Sequence, residues 1–208
     1  PEVHWSFQKP ERSTPAKSTG RSLAHRNANE VDAFIASRLR ENGLQLNPEA
    51  KPARLLRRIF LDLTGLPPTI AQVDDFMADP SFRRFQSVVD QLLASPAYGE
   101  KWAIPWLDLA RYADSEGYQR DSPRSMWPWR DWVLHAFKNN MPYDQFVIWQ
   151  LAGDLLPDAS LEQVIATGFN RNHKITQEGG VIPEEYRVEY VSDRTRTFGK
   201  AFLGRTVE

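Results

Sequence analysis

At 208 residues, 41% of them hydrophobic and 12% aromatic, the chain has enough apolar material to bury a core as one large domain or two small ones. Its 26 basic and 27 acidic side chains nearly cancel, so no long-range field draws in nucleic acid or an anionic membrane surface. Cysteine is absent, which excludes disulfides, thiolate metal sites, thiol nucleophiles and thioether-attached haem within this chain.

Residues 1 to 28 show no sustained hydrophobic period and read as an extended segment, with His4, Trp5 and Phe7 as anchors. From Asn29 the pattern becomes helical, with Val31, Phe34, Ile35 and Leu39 on one face and Gly43 at the C-terminal cap. A second helix is expected from the Asn47-Pro48-Glu49 start through Leu55, Leu56, Ile59, Phe60 and Leu63, and Gly65, Pro67 and Pro68 stop it. Thr69 with Gln72 forms a capping box for a third, and Ser81 opens a fourth.

Ser95 and Pro96 begin a fifth helix that the pattern carries to about Ala113, with Pro105 as a kink. After a loop from Asp114 to Trp127, Pro128 and Pro142 start further helices, and Ser160 with Gln163 caps a short one. A loop from Asn170 to Ile182 precedes a charged helix from Pro183 to about Phe202, whose alternating Glu and Arg mark a solvated or interdomain face. The expected fold is mainly α: an irregular bundle of eight or nine helices with long loops, allowing at most a small hairpin at 170 to 182. The expected organisation is an extended segment over 1–28 and one helical domain over 29–208, with a subdivision near 95. No apolar run approaches the roughly 20 residues of a membrane helix, and the start lacks a signal-peptide core, so the chain is expected to be a piece of a longer or processed protein.

Two constellations could carry chemistry. At helical spacing Asp108, Arg111 and Asp114 share a face and would form a carboxylate-guanidinium-carboxylate ladder. Asp114 and Glu116 could work as an acid and base pair, although a structural ion network is the commoner use of such residues. Calcium at Asp114, Glu116 and Asp121 lacks the ligand order of an EF-hand, and no metal site is assigned. Trp127, Trp129 and Trp132 surround Arg130; they could stack on a sugar or porphyrin, or pack inward, with Trp127 the one most available to a ligand. The second constellation is the loop FNRNHKITQEGG, where Asn172, His173 and Glu178 gather hydrogen-bonding groups and His173 is the side chain suited to proton transfer near neutrality.

The segments HWSFQKP, FLDLTGLPPT (60–69), YGEKWAIPWLDLARYADSEGYQRD (98–121), MWPWRDWV (126–133), NMPYDQFVIWQLAGDLLP (140–157) and TGFNRNHKITQEGGVIPEEYRVEYVSDR (167–194) are long and unusual. Together they resemble a domain of unknown function found in planctomycete cytochrome c-like multidomain proteins. The resemblance implies a secreted, periplasmic or cell-envelope protein. In it a cytochrome c module and other domains of the same polypeptide are the partners, and haem c is carried in the longer protein, not in this chain. The expected role is a non-catalytic scaffold or interface linked to electron transfer. The competing class is a carbohydrate-active enzyme or glycan-binding domain for complex polysaccharides, in which Asp114, Glu116 and His173 would be catalytic and Asp108, Arg111, Trp127, Trp129, Arg130, Asn172 and Glu178 would bind ligand.

Overall fold

Nine α-helices and short 3-10 turns, with no sheet, make up the residues that the computed structural model describes, 3–14 and 29–206. The mainly helical fold is therefore as expected. The hairpin allowed for at 170–182 does not form, and the isolated antiparallel bridge among the described residues joins Ser115 to Pro123. Of the stretch expected to run extended over 1–28, residues 1–2 and 15–28 lie outside the described residues.

The chain divides into two units, Pro1–Ala50 and Lys51–Glu208. In the first, a 3-10 turn at Trp5–Phe7 is capped by His4, whose ring accepts from the Ser6 N–H. Helix α1 (Glu30–Glu41) opens on a reciprocal capping box, Asn29 Oδ1 accepting from Asp32 N at 3.1 Å and Asp32 Oδ2 accepting from Asn29 N at 2.9 Å. Its end is a Schellman motif in which Gly43 takes φ +67° and Leu44 N donates to Leu39 O.

The second unit begins with α2 (Pro52–Thr64), whose cap, Lys51, lies four residues after the expected Asn47. The reason is Pro52: in a helix started at Pro48 its ring would meet the carbonyl of Pro48 and it would have no N–H to donate, whereas at the first helical position neither matters. Helices α3 (Ile70–Ala78) and α4 (Phe82–Leu93) start where Thr69 and Ser81 place them. They close with α2 over Leu56, Phe60, Phe76, Val88 and Leu92.

Helix α5 (Pro96–Leu109) continues through Pro105 and links this cluster to the larger one, packing on α2, α4 and above all α6 (Trp127–Lys138). Lys101 of α5 ties the two clusters together, its Nζ donating to Leu61 O at 2.8 Å and to Asp62 O at the C-terminal end of α2, where the helix dipole favours a cation. The larger cluster is completed by α7 (Tyr143–Ala152), α8 (Leu161–Ala166) and α9 (Pro183–Leu203). Its centre is aromatic: Trp132 stacks on Phe146 at 5.4 Å, and Trp106 meets Phe146 at 5.0 Å and Phe202 at 5.4 Å. The indole N–H of Trp106 donates at 2.9 Å to Gln150, a fully buried amide that would otherwise destabilise the core.

Gly153 and Gly168 permit close approaches between these elements. A Cβ on Gly153 would lie 2.2 Å from the Gln163 carbonyl oxygen, and one on Gly168 would lie 2.7 Å from Trp129 Cβ. Gly153→Ala is expected to lower unfolding free energy by about 1–3 kcal/mol. Gly179→Ala, where nothing lies within 4 Å, should stay within about 0.5 kcal/mol of wild type. Urea denaturation of the two variants checks this.

Candidate functional site

Helix α5 does not reach Ala113. It ends at Leu109 because Arg111 adopts φ +59°, with Tyr112 N donating to Leu107 O at 2.9 Å and Arg111 N to Asp108 O at 3.0 Å. This is again a Schellman turn, here with arginine in the position glycine usually takes. The turn separates the three residues expected to form a ladder. Arg111 pairs with Asp193 of α9, Asp108 stays on the exposed helix surface, and Asp114 faces a different set of donors.

Beyond the turn, residues 112–126 fold back on themselves. Glu116 N donates to Ser122 O at 3.1 Å, Arg124 N to Asp114 O at 3.0 Å, and Gly117 N to Asp121 Oδ1 at 2.7 Å, with Gly117 at φ +84°. The loop after residue 170 docks on this hairpin-like turn and on α9. Ile175 N donates to Glu116 O at 3.0 Å, Thr176 N to the Tyr190 hydroxyl at 2.7 Å, and Lys174 N to Asp193 at 3.4 Å. Arg124 fastens the same loop, its Nη1 donating to the carbonyls of Arg171 at 3.1 Å and His173 at 2.8 Å.

The nominated acid-base residues are divided by this arrangement. Burial would raise the Asp114 carboxyl, but the Tyr112 hydroxyl, the Met126 N–H at 2.9 Å and Arg130 at 3.9 Å outweigh it and hold Asp114 below the usual carboxylate range. Tyr112 in turn is pushed up to about 12 by burial and by the adjacent Asp114. Glu116 is buried, with Oε1 accepting from Gln177. His173 is half-buried; burial, then Arg194, lower its pKa, its Nδ1 lies 3.3 Å from Asn170 O, and its ring packs against Tyr190 at 5.1 Å.

The ligand-binding candidates also scatter. Trp129 is 2% exposed and its ring packs in the core, so it offers no face to a ligand, whereas Trp127 is 52% exposed at the start of α6. Arg130 turns to Asp131 at 2.8 Å. Glu178 is half-buried, its N–H donating to Thr176. Asn172, Glu116 and Arg111 do come together, lining with Ser115, Arg124 and Lys174 a cavity of about 160 Å³. Arg124, Lys174 and Asp193 escaped the sequence reading, since Asp193 lies 82 residues from Arg111 and no local spacing links them. A second cavity, of about 350 Å³, is aromatic and lies between α5, α6 and the start of α7, lined by Tyr98, Trp102, Trp106, Phe137, Tyr143 and Phe146.

A helical domain in which a set of half-buried polar groups pins two loops is the class that fold and site define. Residues 30–208 match the family PSCyt2, described as a protein of unknown function (DUF1549), and the chain belongs to that family, a domain of planctomycete cytochrome c-like proteins. No curated protein and no solved structure matches the chain. Among the described residues no group of His, Cys, Asp and Glu is placed to hold a metal ion, and no helix is long and apolar enough to cross a membrane.

The Arg111–Asp193 pair gives a pH prediction. Burial would raise Asp193, but Arg111 and the Lys174 N–H lower it below its ordinary value. A carboxyl depressed in the folded state contributes stability that is present above the unfolded pKa, about 4, and is lost as pH falls through the lower folded value. Asp193→Asn should therefore cost about 1 kcal/mol or less at pH 7, the pair being partly exposed. The gap to wild type should close as pH falls below about 4, where the folded and unfolded states both become protonated at this carboxyl. Denaturant unfolding at a series of pH values reads both effects.

Proposed function

We propose that this domain is a non-catalytic scaffold or interface within a periplasmic or envelope cytochrome c-like protein, holding neighbouring modules of the same polypeptide in place while electrons pass through a haem-bearing module. Membership of a family of cytochrome c-like proteins supports the context. The observation that carries the role is the commitment of Asp114 and Asp193. Each accepts hydrogen bonds from protein donors and stands beside an arginine, which suits a carboxylate for holding loops and not for exchanging protons. Without cysteine, this chain itself has no residue to attach haem through a thioether.

The polysaccharide reading needs two carboxylates about 5 to 10 Å apart across an open cleft with tryptophan platforms. Against it stand the burial of Trp129 and the engaged oxygens of Asp114. A glycan-binding strip of coplanar exposed rings is not favoured either, since the half-buried Tyr98 and its exposed neighbour Trp102 are inclined by 47°.

The natural full-length polypeptide, produced in a host that attaches haem c, tests the proposal. The expected result is covalent haem by absorbance and mass, mapped outside the present 208 residues, and no release of reducing ends from sulfated or unsulfated polysaccharides. Polysaccharide turnover that Glu116→Gln or Asp114→Asn abolishes in a folded protein would contradict it.

A further inference from the structure

Helix α2 carries Arg54, Arg57 and Arg58 at positions i, i+3 and i+4, with Lys51 as the cap one turn ahead of Arg54. All four are exposed, while Leu56 and Phe60 of the same helix are buried in the core. No ion pair and no side-chain hydrogen bond among the described residues engages any of them. Glu49 and Asp62 are the acids that flank the run, and neither pairs with it. Four cations less two acids leave residues 49–62 with a formal surplus of two positive charges, in a chain whose net charge is -1.

Such a face is unfavourable by itself. Like charges one turn apart repel, and the positive end of the helix dipole lies beneath them with no acid in the first turn to offset it. An opposing row of carboxylates relieves both effects, and the arginine fork is shaped to take a carboxylate. Spacing sets the form of that row. The rise from Arg54 to Arg58 is about 6 Å, and from Lys51 to Arg58 about 10 Å. Carboxylates at i, i+3 or i+4, and i+7 of a second helix repeat at the same intervals, whereas those on one side of an extended strand fall about 6.8 Å apart and lose step. Leu55 and Leu61, both half-buried, lie three residues before and after Arg58 and offer apolar contact that a helix can use and a fully charged polysaccharide cannot.

We propose that this face of α2 is a docking surface for an acidic helix of a protein partner, its carboxylates set one turn apart against Lys51, Arg54, Arg57 and Arg58. Association is reversible and steered by charge. The surface is independent of the scaffold role, so either can fail without the other.

Titration of the ¹⁵N-labelled chain with an alanine-based helical peptide carrying glutamates along one face tests this. Saturable shifts centred on the amides of α2 are expected, with a Kd on the order of 0.1 mM at low salt and at least tenfold weaker binding at physiological ionic strength. The same peptide with its glutamates scattered around the helix should bind at least fivefold more weakly, and a heparin oligosaccharide of equal net charge should bind no more tightly than the one-faced peptide. Arg54→Gln combined with Arg58→Gln should weaken the one-faced peptide at least tenfold and leave Tm unchanged or raised, since the two guanidinium groups repel each other. Arg57→Gln alone should weaken it about threefold and keeps the test open if the double variant fails to fold. No saturable shift on α2, equal affinity for the scattered peptide, or tighter binding of the heparin oligosaccharide would overturn the proposal.

Discussion

The left-handed turn at Arg111 is the constraint from which the rest of the polar architecture follows. Placing a non-glycine residue at φ +59° costs about 1–2 kcal/mol, and the structure offsets this with the two main-chain hydrogen bonds of the turn and the ion pair to Asp193. By ending α5 at Leu109 the turn sends the chain into the 112–126 loop and not along another helical turn. By reaching α9 the guanidinium links that loop to the last helix, and Asp193 then also receives the main-chain N–H of Lys174. The second loop is thereby fixed against the first.

Once the loops are pinned, the titratable groups fall into two sets. Asp114, Asp193 and Arg124 are consumed by architecture: their hydrogen bonds run to Tyr112, Met126, Arg111 and main-chain carbonyls. Glu116 and Asn172 are carried into the interior by the same fold and left with atoms to spare. Ile175 N donating to the Glu116 carbonyl and Arg124 donating to the carbonyls of Arg171 and His173 hold the second loop against them.

Local chemistry made most of the helices legible. Thr69 with Gln72, Ser160 with Gln163, and Ser81 each mark a helix start that the structure keeps, since capping depends on three or four consecutive residues. Gly43 was readable as a helix stop for the same reason, whereas Arg111 was not, because nothing in its type announces a left-handed conformation. That one difference dissolved the Asp108-Arg111-Asp114 ladder, whose spacing was sound only for a helix that continued. The start of α2 was misplaced when the cap-like Asn47-Pro48 outweighed Pro52. At the site, Glu116 and Asn172 were legible as chemistry-bearing types in loops, and Arg111 as one on the fifth helix. Their partners Arg124, Lys174 and Asp193 were not, because they are brought in by tertiary contacts across many tens of residues.

The central claim is that these charged residues hold the loops in place, and a double-mutant cycle on Arg111→Gln and Asp193→Asn tests it most directly. Unfolding free energies of wild type, both single variants and the double variant should yield a coupling of about 0.5–1 kcal/mol, the loss in either single variant largely containing the other. Single-variant effects that add to within about 0.3 kcal/mol would show that the pair does not hold the two elements together, and would contradict the account.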